Sequence, residues 1–150
     1  MASQAGNAWV GDQELSCPLY AAENGGKTCA SMVDALAIAP YFGFLVDPSR
    51  VTTVRSWITD PDGGVDRAFQ ELFAGGLLDS SQVPVPPGGV PATLQTAFGY
   101  IDRNAVVAQQ HGVKLIAYEG GQHLVALGGV IDDSYWDIHN LLIAVNRDPR

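Results

Sequence analysis

A single carboxylate closes the apolar run Leu115-Ile116-Ala117-Tyr118. It is Glu119, followed at once by Gly120 and Gly121 and, four positions on, by His123. An apolar run without polar alternation suits a parallel strand buried on both faces, and folds of that kind bind ligands beyond the carboxyl ends of their strands. A glutamate there can serve as nucleophile, base or hydrogen-bond acceptor. The glycines let the backbone turn sharply and leave room for a ligand. A second strand end of the same kind follows residues 34–40 and carries Tyr41 and Phe42. If both ends share one rim, the Tyr41 hydroxyl can donate to Glu119 and hold its rotamer. Phe42, Gln122 and His123 then become substrate-contact candidates. The plainer alternative is a strand-end glutamate that faces water.

Other chemistries find less support. Asp47, Asp60 and Asp62 are carboxylates in turn-forming sequence, where Asp normally caps or turns the chain. Glu23 lies in "YAAENGG". The serines lack the strand–turn–helix setting of a nucleophile elbow, and no phosphate-cradling glycine pattern occurs. No CxxC or Cys/His pair has ligand spacing, so no metal site is expected. Cys17 and Cys29 bracket a segment with a turn signal at Asn24-Gly25-Gly26. A disulfide across it is expected in an oxidising compartment, two reduced thiols otherwise. Among the aromatics, Trp9 is the best candidate to stack on a sugar ring, whereas Trp136, at helical spacing with Leu141, reads as core.

These side chains need elements to hold them. The stretch 34–40 and the stretch 113–119 read as strands. Val65, Phe69, Leu72 and Phe73 mark a helix within 63–76. A longer helix over 92–111 places Leu94, Phe98, Ile101, Ala105 and Ala108 on one face, with Gly112 as its C-terminal stop. Asp132 or Asp133 caps a last helix containing Trp136, Leu141, Leu142 and Val145. The proline-rich segment 77–91 reads as a loop, and no internal repeat is visible. This order gives the α/β class, with parallel strands covered by helices. The strands are few, so the sheet would have edges in need of cover.

Bulk composition narrows the partners. A chain of 150 residues, 47% apolar and 16% charged, fits one globular domain over 1–150. A formal charge of −8 with only eight Lys and Arg argues against nucleic acid. No apolar run is long enough to span a membrane. The first residues lack the basic start and apolar run of a secretory signal.

"VDALAIAPYFG" and "LIAYEGGQHLVALGG…LLIAVNRDPR" resemble the later strands of bacterial (β/α)8 proteins related to the retaining glycoside hydrolases of the cellulase and xylanase clan. Many of these carry cellulose-binding modules. The opening "ASQAGNAWV" is similar to a preceding strand end. The resemblance implies a half-barrel, about strands five to seven, completed by oligomerisation or by further sequence. It also implies a retaining glycosidase acting on β-linked glucans, endoglucanase-like, with Glu119 as nucleophile, Tyr41 as its support, no cofactor, and a secreted location. The clan's acid/base glutamate follows an earlier strand and has no counterpart here. Glu23 is the in-chain nominee, because its surroundings superficially match a β-glucosidase motif, without that motif's threonine. The competing expectation is a non-catalytic carbohydrate-binding or scaffolding fragment.

Overall fold

The computed structural model describes residues 1–78, 93–130 and 132–150. Most of the proline-rich loop expected at 77–91 and the start of the helix expected from Ala92 lie outside them. The described elements are, in order, α1 (Ala8–Ser16), α2 (Pro18–Glu23), β1 (Ala35–Ile38), β2 (Tyr41–Phe42), β3 (Leu45–Val46), α3 (Val51–Ile58), α4 (Val65–Phe73), α5 (Leu94–Gln110), β4 (Lys114–Ala117), β5 (Gly121–Gln122), β6 (Val125–Ala126) and α6 (Trp136–Arg147). The chain is thus a mixture of helices and short parallel strands. It packs as two compact units, one holding 1–41 and 96–121, the other 42–78, 93–95 and 122–150.

In the first unit β1 is the central strand. It pairs in parallel with β4, Ala35 opposite Lys114 and Ile38 opposite Ala117. On its other side the extended Met1–Ser3 segment runs parallel to it, with Ser3 N–H donating to the Ala37 carbonyl at 2.9 Å and Ala37 N–H donating to that of Met1 at 2.7 Å. Leu36 and Ile38 are therefore buried, and with Leu15, Val107 and Ala108 they form the unit's core. Asn7 starts α1 by accepting the Trp9 N–H, and Gly11 lets that helix lie against Leu36: an added Cβ would sit 3.2 Å from Leu36 Cδ2.

The second unit buries Phe44, Val46, Val54, Trp57, Leu72, Val130, Ile138 and Leu141 in one core. β3 and β6 pair in parallel, Leu45 opposite Val125, and Phe44 meets Trp57 edge-on with centroids 6.0 Å apart. Arg55 ties α3 to α6 through a bidentate pair with Asp137 at 2.7 and 3.1 Å.

Several expectations are corrected. β4 was expected to be buried, but Lys114, Ile116 and Ala117 are exposed: among the described residues β4 pairs with β1 alone, so its other edge is open. The buried face of α5 is Ala97, Asn104, Val107 and Ala108. Phe98 and Ala105 point out, so the stripe is rotated by about one residue. Asn104, wholly buried, is accepted there because its amide donates to the carbonyls of Ala5 and Tyr100, each at 2.9 Å. Trp136 is 60% exposed rather than core; it opens α6, and the face turned inward is Ile138, Leu141, Leu142 and Val145.

The chain also contains a structural repeat that its sequence hides. Three short strands and then a helix occur over 35–58 and again over 114–147, and each strand of the first set pairs with its counterpart. The partner offset is 79 residues along β1 and β4, but 80 along β3 and β6. One extra residue has entered the second copy.

Candidate functional site

That extra residue falls within Glu119–Gly120. Tyr118 N–H donates to the Ile38 carbonyl at 3.1 Å, and the next such bond runs from Gly121 N–H to the Pro40 carbonyl at 3.4 Å. Between these bonds one strand advances two residues and the other three. A bulge of this kind leaves one residue out of the ladder and redirects its side chain. Gly120 permits the geometry, since a Cβ there would stand 3.1 Å from the Pro40 ring and 3.2 Å from the Pro40 carbonyl oxygen.

Beside this bulge Glu119 meets Tyr41, the first residue beyond β1 and its two-residue link. The phenol lies close enough to the carboxylate for a hydrogen bond to it to be the leading influence on its ionisation. This bond pushes the Tyr41 pKa up to about 12, with partial loss of solvent and the Glu119 negative charge acting in the same direction. A phenol beside a carboxylate keeps its proton, because ionising it would place two negative charges together and break the bond. Tyr118, next to Glu119, is exposed and adds an aromatic ring to this end of the first unit.

The other candidates are distributed as follows. Trp9 is not at a strand end: Asn7 starts a helix before it, so it stands in the first turn of α1, 65% exposed. Glu23 is the last residue of α2, exposed, and its side chain makes no hydrogen bond or ion pair among the described residues. It lies inside the loop closed by Cys17 and Cys29, which are joined in a disulfide. Phe42, Gln122 and His123 belong to the second unit. There the His123 N–H donates to the Phe42 carbonyl at 2.7 Å. The same approach fixes Gly43: at φ +149°, a Cβ on it would lie 2.2 Å from the His123 carbonyl oxygen.

The aspartates do local work. Asp62 accepts from the N–H groups of Asp66 and Gly64, which hold its carboxyl below the usual range. The hydroxyl and N–H of Ser49 do the same for Asp47. Asp60 pairs with Arg67 at 2.6 Å. Among the described residues no group of three His, Cys, Asp or Glu side chains is placed to hold a metal ion.

Gln122 has a partner that the sequence did not suggest, Asn146 on α6, to which its amide donates. Both side chains line a cavity of about 300 Å3 within the second unit. The only signal available was an asparagine near the end of an amphipathic helix, and it is too common to single out.

The chain matches no protein-family model, no curated protein and no solved structure.

Proposed function

We propose that the chain forms part of a (β/α)-barrel glycosidase that cleaves β-linked glucans with retention, Glu119 being the nucleophile. The observation that carries this reading is the approach of Tyr41 to Glu119 at the ends of the paired strands β1 and β4. Three parallel segments side by side, Met1–Ser3, β1 and β4, agree with the order of strands in such a barrel.

In the reaction the Glu119 carboxylate attacks the anomeric carbon as the bond to the leaving oxygen breaks, giving a glycosyl ester on Glu119. Water then attacks the same carbon and frees the carboxylate. Tyr41 orients the attacking oxygens and withholds its proton. A second carboxyl group, about 5–5.5 Å from the first, must protonate the leaving oxygen and later deprotonate the water. Glu23 is the in-chain nominee, and the adjoining part of a complete barrel rim is the other source.

The test separates the nucleophile from the acid. A fluorinated β-glucoside with a dinitrophenolate leaving group needs no protonation, so it esterifies a competent nucleophile even where the acid is missing. Mass spectrometry is expected to find one sugar adduct, on the peptide containing Glu119, and none on Glu119→Gln. Tyr41→Phe should slow labelling by about tenfold, the worth of one hydrogen bond to a charged group. An adduct on another residue, or no adduct at all, sinks the nucleophile assignment. Glucan binding without labelling would favour the carbohydrate-binding reading.

A further inference from the structure

The second unit contains a cavity of about 300 Å3 whose walls all come from that unit. Its apolar side is formed by the rings of Phe42, Phe69 and Phe73 and its polar side by Gln122, Asn146 and Arg150. The two sides impose different requirements on a ligand.

The charges at the wall are already matched. Arg150 donates through Nε and Nη2 to the two oxygens of Asp148 at 2.9 and 3.1 Å, and through Nη1 to Asp66 at 2.6 Å. Its guanidinium carbon also lies 4.4 Å from the centre of the Phe69 ring. An anionic or cationic ligand would have to displace a pair that exists without it. The amides are only partly used. Gln122 accepts from Leu124 N–H at 2.9 Å and gives one N–H to Asn146, while Asn146 gives one N–H to the Leu142 carbonyl at 2.9 Å. Each NH2 group therefore keeps one donor. Each amide carbonyl also has a second lone pair. Phe69 and Phe73 stack with centroids 5.9 Å apart and stiffen the apolar wall.

We infer that this cavity is a binding site for a neutral ring-shaped ligand with one apolar face and one hydrogen-bonding edge. The face packs on Phe42 and Phe73, beside the edge of Phe69, and the polar edge meets the spare donors and lone pairs of Gln122 and Asn146. A mostly apolar cleft with a few convergent polar groups is a usual form of such a site. The inference does not depend on Glu119 or on the hydrolytic reading.

The test is an NMR titration of the full chain, following the side-chain amides of Gln122 and Asn146. Benzamide and methyl β-glucopyranoside both offer a ring face and a neutral polar edge, and they distinguish an aromatic from a sugar ligand. Benzoate keeps the ring but adds a charge, and toluene keeps it but removes the edge. At least one of the first two should saturate these resonances, with benzoate and toluene about tenfold weaker or worse. Asn146→Ala should cost about the same factor, and Phe73→Ala, at a partly exposed ring, should weaken binding while the chain stays folded. Glu119→Gln should leave binding unchanged. The inference fails if neither neutral probe saturates, if benzoate or toluene binds as tightly, or if both cavity variants bind like the parent.

Discussion

Gly43 offers the sharpest test of the architecture, because two independent costs meet at one α-carbon. At φ +149° it occupies a region that side-chain-bearing residues enter at about 1–3 kcal/mol. A methyl group there would also lie 2.2 Å from the His123 carbonyl oxygen and 2.6 Å from its carbon, both backbone atoms of the paired strand. No rotamer relieves that contact, so β5 and its continuation must move. The bond most directly at stake is His123 N–H to the Phe42 carbonyl at 2.7 Å, whose loss costs about 1 kcal/mol. Gly43→Ala should therefore destabilise the second unit by about 2–4 kcal/mol. With a urea slope of about 2 kcal/mol per molar, the midpoint falls by about 1–2 M. Tryptophan fluorescence is the assay, since Trp57 is buried in that unit's core while Trp9 and Trp136 are exposed. Gly129→Ala is the control: it has open space around it and no positive φ, so it should stay within about 0.5 kcal/mol of the parent. If Gly43→Ala is as stable as Gly129→Ala, the parallel pairing of these two segments is wrong.

Two further predictions concern the first unit. Tyr41 should titrate near pH 12 when phenolate absorbance is followed through alkali. Its folded pKa is raised above the unfolded value of 10, so the stability linked to its bond with Glu119 is complete below pH 10 and lost as pH climbs through 12. Glu119→Gln removes the leading cause and should bring that titration down; an unchanged curve would mean that the two side chains do not meet. Replacing Cys17 and Cys29 together by alanine opens the bridged loop and should cost about 3 kcal/mol by the chain-entropy argument, read from urea unfolding of the parent and the variant without reductant. A cost under about 0.5 kcal/mol would show that the bridge constrains nothing.

What could be read from the sequence was decided by length and period. β1, α5, β4 and α6 are long enough for apolar residues to show a pattern, and they were legible to within a few residues. The two-residue strands β2, β3, β5 and β6 were not, because no period is measurable over two positions and glycines interrupt each run. The repeat they build is a fact of pairing across some eighty residues, which shared residue types do not announce. α1 was missed since Gly11 sits in its middle and its apolar stripe is weak. The faces of Phe98 and Trp136 were misjudged for a related reason: helical spacing suggested core, while packing gave the inner positions to Ala97 and Ile138. The pairing of Glu119 with Tyr41 was legible, because strand ends are positions a sequence does mark. The Gln122–Asn146 pair was not, because it joins a strand to a helix that reaches it only in the folded chain.

The unequal count between the two strand sets has a consequence for how this scaffold tolerates change. Along the first set the ladder is complete with Ala39 and Pro40 alone between β1 and β2; the second set achieves the same pairing with a surplus position. A residue that the ladder does not count is exempt from the demands that fix its neighbours, since it neither closes a backbone bond nor fills a hole in the core. Its identity can vary without the sheet paying for it. The surplus falls within Glu119–Gly120, so a change of side chain at the glutamate need not disturb the pairing of β1 with β4.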